Sequence, residues 1–258
     1  MSFTVENLEF FLMIVVRMST FVYTAPFLSL SSVPHRVKLG ISVTLSILMF
    51  QMIPYDPLEY TGTVGFAFLV IREAIIGLVL GFCANVCSYI VGLSGQLIDM
   101  EIGFSMVNEL DPATKITNTI TGNYYSYFVM LMLMITDMHY YIISAILDSF
   151  QTIPLGTVSF NPRLYEIIQK FMTDYFVIGF RIVLPVFASI LLVNIVLGVL
   201  SKIAPQINMF VVGMQLKVFI GLFILFLIVG LIPKVSDFIF VEMRTMLNLM
   251  TQALAKGA

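Results

Sequence analysis

Long apolar runs separated by short polar stretches dominate this chain, at about residues 7–30, 37–53, 62–98, 118–151, 174–200 and 209–232. A helix needs about 20 apolar residues to cross the hydrocarbon of a bilayer. The pattern therefore predicts an all-α, membrane-class fold of about six or seven helical segments arranged as hairpins. The runs fit that length unevenly. The second is short, the third is nearly twice what a span needs, and Asp137 and His139 interrupt the fourth. Prolines mark the joints: Pro26 and Pro34, Pro54 and Pro57, Pro154 and Pro162, then Pro205. Pro185 lies inside an apolar run, where it predicts a kink and a freed carbonyl that needs another partner. No internal repeat stands out.

From Lys234 the period changes. Val235, Phe238, Ile239, Met243, Met246, Leu247 and Met250 recur at helical spacing, with Asp237, Arg244 and Asn248 elsewhere on the wheel. This predicts an amphipathic helix over about 234–256, lying at a membrane interface or against a partner. Arg36 and Lys38 in one loop, and Lys234, Arg244 and Lys256 in the tail, point those ends toward the cytoplasm, whereas the 54–61 loop holds only Asp56 and Glu59. Lys202 runs against that assignment, so the sequence leaves the topology open.

Composition sharpens the class. The chain has 258 residues, 59% hydrophobic and 11% charged, where an ordinary soluble domain carries about 25% charged residues. Lipid or a large apolar assembly must be its solvent. A net charge of -2 leaves no basic patch to neutralise phosphates, which excludes nucleic acid as a partner. Glu6 and Glu9 precede the first apolar run where a secretory signal would be basic, so that segment is expected to be retained. Cys83 and Cys87 lie on one helical face without nearby histidines, a pattern of buried small residues rather than of a disulfide or zinc site.

Charges inside apolar runs are the first candidates for function. Arg17, Arg72, Glu73, Arg181 and Lys217 all fall in such runs, and each would cost roughly 2.5–3.5 kcal/mol at a bilayer centre. Arg72 and Glu73 are adjacent and point about 100° apart on a helix, so they need partners elsewhere. One reading is a proton or ion relay. The other is interhelical pairing that fixes assembly, favoured because no midplane cluster of carboxylates appears. The third run also carries a stripe of small residues, Gly77, Gly81, Ala84, Ser88, Gly92 and Gly95, at spacings that let helix backbones approach closely.

Catalytic signatures are missing: there is no phosphate-binding loop, zinc-protease helix, hydrolase elbow or dinucleotide fingerprint. Gly92, Leu93, Ser94 and Gly95 spell the G-x-S-G string of rhomboid proteases, with His139 as a conceivable base, but these residues already belong to the small-residue stripe. Neither a metal nor an organic cofactor is expected. The Met130, Met132, Met134 and Met138 run could suggest a methionine gasket, yet alternate positions on a helix point several ways, so lipid-facing or core filler is expected. More telling is SGQLIDMEIGFSMVNELDPATKIT at 94–117, where the chain leaves the stripe and turns acidic around Gly103, Phe104, Ser105, Met106 and Val107. A glycine followed by Phe and Met can bend and still offer adaptable apolar contacts, which suits a plug as well as an ordinary loop.

Three ordered blocks resemble the FliR family. They are GQLIDMEIGFSM followed by LDP, then TDMHYYIISAILDSFQTIPLG at 136–156, then LPVFASILLVNIVLGVLSKIAPQINMFVVGMQLKV at 184–218, the last with Pro205, Gln206 and Asn208 in its connecting loop. RVKLGISVTL at 36–45 and the Arg17 helix resemble it too, so the likeness covers nearly the whole chain as one domain, 1–258. It implies a non-enzymatic subunit of the flagellar type III export gate, in the bacterial inner membrane within the flagellar basal body. The implied partners are FliP-like, FliQ-like and FlhB-like subunits, membrane lipid and unfolded flagellar export substrates. In that family the subunits wind into a helical export gate raised partly out of the bilayer, and a FliR loop helps plug the closed pore. The resemblance carries that role to Gly103–Val107. Two alternatives stay open: the virulence injectisome counterpart, and a secondary transporter, which the absence of inverted repeats and of a midplane polar site disfavours.

Overall fold

A computed structural model describes residues 5–30, 32–55, 58, 60–104, 119–157, 162–206 and 208–255. They form α1 (Val5–Thr24), α2 (His35–Met52), α3 (Gly62–Ile102), α4 (Ile120–Ile135), α5 (Met138–Thr152), α6 (Arg163–Ile203), α7 (Met209–Ile228), a 3-10 turn (Val229–Leu231) and α8 (Ile232–Leu254). Among the described residues there is no strand. Three helical stretches, Gly62–Ile102, Arg163–Ile203 and Phe210–Leu254, are long and apolar enough to cross a membrane. A fourth joins them if α4 and α5 count as one broken span. The break falls at Thr136–Asp137, where Asp137 takes a left-handed backbone (φ 56°). The polar residues that interrupt the fourth apolar run thus end one helix and begin another.

The chain forms two compact units, residues 1–87, 136–171 and 240–258 in the first and 88–135 and 172–239 in the second. In the first unit α1 buries Phe10, Met13, Ile14, Arg17, Met18, Phe21 and Val22, an i, i+3/i+4, i+7 stripe that faces the core. Helices α1 and α2 make an antiparallel hairpin. Phe50 near the end of α2 meets Phe10 (6.1 Å) and Phe11 (5.7 Å), and His35 at its start stacks on Tyr23 (5.9 Å). Lys38, read from the sequence as a loop residue, lies in the first turn of α2 and is buried, with its Nζ donating to the Ser29 carbonyl (3.0 Å). Beyond the hairpin, Tyr60 donates to Glu9 Oε2 (2.7 Å), and that carboxylate raises the phenol above its usual 10. On α8, Phe240, Met243, Met246, Leu247, Met250 and Leu254 are buried. The same helix meets α5 through Arg244 over the Tyr141 ring (5.0 Å) and the Tyr141 hydroxyl donating to Asn248 Oδ1 (3.1 Å). In the second unit the core runs through Ile90, Val91, Ile98 and Ile102 of α3, Tyr125, Val129 and Leu133 of α4, and Ile178, Val186 and Ile190 of α6.

Close backbone approach decides where α3 can pack. A Cβ on Gly77 would collide with the Arg17 carbonyl and the Thr20 hydroxyl, and one on Gly81 with the Thr24 hydroxyl, so α1 lies against the bare glycine edge. Gly40, in α2, has open space where its Cβ would be. Overpacking of this kind costs about 1–3 kcal/mol, whereas an unobstructed Gly→Ala change in a helix stabilises by about 0.5–1 kcal/mol. Gly77→Ala should therefore lower the thermal midpoint of the purified protein by several degrees, and Gly40→Ala should leave it level or raise it.

Candidate functional site

The stripe geometry of α1 puts Arg17 inside, where it is 0% exposed. A buried guanidinium must be neutralised and all its N–H groups occupied. Its Nε donates to Glu73 Oε2 at 2.5 Å, and Glu73 is equally buried. Its Nη1 donates to the carbonyls of Ser149 (3.2 Å) and Ile153 (3.1 Å), and Nη2 to Ile153 (3.1 Å). Those carbonyls lie at the C-terminal end of α5, where a cation is favoured; the Ser149 carbonyl also accepts from the Ile153 N–H (2.8 Å). The guanidinium also lies over the Phe150 ring, 4.3 Å from its centroid.

The other Glu73 oxygen, Oε1, accepts from the Gly156 N–H (2.8 Å), while Arg72 Nη1 donates to the Gly156 carbonyl (3.3 Å). The adjacent residues 72 and 73 therefore engage the N–H and the carbonyl of one residue, Gly156, although Arg72 is itself exposed. Gly156 has φ 77°, a left-handed backbone that a side chain resists, and a Cβ there would press on Leu69 (3.1 Å). This cluster ties α1, α3, the end of α5 and the turn after it into one body. All three guanidinium nitrogens and both Glu73 oxygens are thus engaged in joining these segments.

The remaining charges lie in the second unit. Arg181 is exposed on α6, its guanidinium 6.0 Å from the Phe238 ring, and it borders a cavity of about 90 Å³ lined by Val91, Tyr125, Pro185 and Ile232 among others. Lys217 on α7 is half-buried. The helix runs on through Pro185, whose missing N–H deprives the Arg181 carbonyl of its usual donor.

The small-residue stripe serves different neighbours along its length. Gly77 and Gly81 face α1, while Gly95 meets the backbone of Gly122 in α4. Ala84 is buried, Ser88 is half-buried, and Gly92 has open space at its Cβ position. Ser94 donates to the carbonyls of Ile90 (2.8 Å) and Gly179 (3.2 Å), so its hydroxyl proton is engaged in packing α6 on α3. Among the described residues no group of three or more His, Cys, Asp or Glu could hold a metal ion. In the alternating methionine run, Met134 is exposed and Met138 fully buried.

Two connections carry the motif residues. Between α6 and α7, Pro205 and Gln206 are exposed, and Asn208 caps α7 by accepting from the Phe210 N–H (3.2 Å). After α3, Gly103 (φ 100°) and Phe104 both donate backbone N–H groups to the Asp99 carbonyl (3.0 and 2.9 Å). Ser105, Met106 and Val107 lie outside the described residues. The first residue after that undescribed stretch is Thr119, and the Thr121 N–H meets both carboxylate oxygens of Asp99 (3.2 Å each). Sequence reasoning singled out neither Asp99 nor Gly156. A carboxylate near the end of an apolar run was the available signal for the first, and a Pro-Leu-Gly turn for the second.

An all-α, membrane-class protein with a buried ion pair in its first unit is what these residues define. Residues 8–243 match the profile of the bacterial export proteins of family 1. The chain is similar to the flagellar biosynthetic protein FliR of Bacillus subtilis (strain 168), 30% identical over 93% of this chain and 94% of that protein. It is likewise similar to the FliR of Escherichia coli (strain K12), at 27% over 90% of this chain and 88% of that protein, and of Aquifex aeolicus (strain VF5), at 26% over 84% and 83%. The chain belongs to this family of bacterial export proteins, in its FliR branch. Membership makes it a membrane component of the flagellar protein-export apparatus.

Removing one partner of a buried ion pair typically costs about 3–5 kcal/mol, because the other charge is left stranded, whereas replacing both by apolar groups is far milder. Glu73→Leu alone should therefore abolish accumulation of the folded chain, and Arg17→Met with Glu73→Leu should restore part of it. The restoration should be incomplete, since the Ile153 carbonyl and the Gly156 N–H lose their partners. Detergent-soluble yield and thermal midpoint of the two variants measure the difference.

Proposed function

We propose that this chain is a non-enzymatic subunit of the flagellar type III export gate, lining part of the channel through which unfolded flagellar proteins leave the cytoplasm. It works as one domain in the inner membrane, within the flagellar basal body, alongside FliP-like, FliQ-like and FlhB-like subunits. The loop containing Gly103 to Val107 helps plug the closed pore. The observation that carries this reading is the family match over residues 8–243, joined to long helices whose apolar faces are largely uncovered. Phe219, Phe223 and Phe226 of α7 are each more than half exposed, and lipid or neighbouring subunits must cover such surface. The flagellar relatives favour the flagellar over the virulence system.

Arg72, exposed and only lightly engaged with Gly156, acts in assembly together with Arg181 and Lys217. Arg72→Gln should reduce recovery of the assembled complex. An Arg72→Gln gate that assembles in full yet loses proton-dependent export would replace assembly with a relay.

Coexpressed with the neighbouring gate subunits and extracted in mild detergent, the chain should copurify in a stable hetero-oligomer whose mass includes FliP-like and FliQ-like chains. A monomer or homodimer regardless of coexpression would remove the gate reading. Apolar residues in a narrow dry constriction block ions and small solutes, so deleting residues 103–107 should leave assembly intact and make cells leaky to small molecules. Unchanged permeability in an assembled, deleted gate would remove the plug.

A further inference from the structure

Residues 182–201 of α6 carry no charged side chain, and Arg181 and Lys202 bracket them. At 1.5 Å per residue that stretch reaches about 30 Å, the thickness of a bilayer's hydrocarbon core. As the membrane-crossing part of α6 it places Arg181 at one edge of the hydrocarbon, level with the lipid phosphates. The guanidinium is exposed, and among the described residues neither a carboxylate nor a carbonyl accepts from it; its contact is the Phe238 ring, 6.0 Å away. Asp237, next to Phe238 in the sequence, forms no ion pair with it. Arg181 also borders the cavity of about 90 Å³ in the second unit, where apart from Tyr125 every other lining residue is apolar, Val91, Val129 and Leu231 among them. That is room for roughly six water-sized groups, and such a lining suits an apolar chain better than water. Tyr125 is only 3% exposed, and its hydroxyl has no hydrogen-bond partner among the described residues. A buried phenol of this kind calls for an acceptor.

We propose that this cavity seats one acyl chain of an anionic phospholipid, with the phosphate held by Arg181 and an ester carbonyl accepting from the Tyr125 hydroxyl. One molecule thereby supplies an apolar chain, an anion and an acceptor in the order in which the site presents their complements. A zwitterionic headgroup would bring its own cation to the guanidinium, whereas an anionic one neutralises it. The inference names what Arg181 holds within the assembly role given to it above, and it rests on that reading only for the site's place in the assembled gate.

The full chain, purified in mild detergent both alone and coexpressed with the gate subunits, is tested by native mass spectrometry for retention of phosphatidylglycerol against phosphatidylcholine of the same acyl chains. The unaltered chain should retain phosphatidylglycerol at least fivefold more tightly, and should keep it on assembly. Arg181→Gln should lower that retention at least fivefold and leave phosphatidylcholine unchanged. Lys170→Gln removes an exposed cation of α6 that does not line the cavity, and should change neither. Val129→Phe fills the cavity and should lower retention of both lipids. Glycerol phosphate, a headgroup without its chains, should fail to displace bound phosphatidylglycerol, which tests the acyl seat even if Val129→Phe does not fold. Equal retention of the two lipids, an Arg181→Gln chain that keeps phosphatidylglycerol, or displacement by glycerol phosphate overturns the proposal. Lipid lost on assembly overturns it too, since a neighbouring subunit then takes Arg181. A chain that binds the lipid yet never assembles supports the site and removes only the gate reading.

Discussion

The first unit depends on lodging one guanidinium away from water. Arg17 cannot leave the core, because the residues one turn to either side of it, Met13 and Phe21, are themselves fully buried. A charge in that position is tolerable only when its counter-ion and its hydrogen-bond acceptors arrive in fixed geometry. Glu73 brings α3, Ser149 and Ile153 bring the end of α5, and Gly156 brings the following turn. Three segments distant in sequence are thereby held to one register by charge-assisted bonds with little tolerance for sliding. Hydrophobic burial alone would favour their association without choosing among registers.

Helix length sets the second constraint. At 1.5 Å per residue, the 41 residues of α3 and of α6 reach about 62 Å, against a hydrocarbon core of about 30 Å. Neither helix is a simple span: the apolar run of α3 nearly doubles what a span needs, and α6 adds a charged first stretch, with Arg163, Glu166, Lys170 and Asp174, to an apolar remainder. On α6, Phe176, Phe180, Leu184, Leu191, Leu192 and Ile195 are exposed. Such surface is stable only against lipid or against other helices, which is the setting of a subunit in an assembled export apparatus.

Much of this was legible in the residue pattern. The apolar runs and proline-marked joints locate the helices, and the α1 stripe with Arg17 on its inner face is readable from spacing. The requirement that Arg72 and Glu73 find separate partners also follows from helix geometry. Glu73 found Arg17, a side chain already singled out, but the groups that Glu73 and Arg72 share at Gly156, and the Ser149 and Ile153 carbonyls that complete Arg17, were not legible, because backbone groups look the same in every sequence. The small-residue stripe reads as a single seam, yet the structure divides it between α1 and α4, since a helix of that length meets different neighbours along its course. Asp99 escaped notice because an acid near the end of a helix has no spacing signature, and its meaning comes from Thr121, 22 residues further on.

The cluster around Arg17 also has a direction in time. Its members leave the ribosome in a fixed order: the arginine first, the glutamate 56 residues later, and the Ile153 carbonyl 136 residues after the arginine. Through most of synthesis the first helix therefore carries a cation whose full set of ligands does not yet exist. It must be kept in water, in the lipid headgroups or in the insertion machinery until the segment from Ser149 to Gly156 arrives. The packing of α1 against α3 and α5 cannot be completed before then, so its last step belongs to a part of the chain made much later.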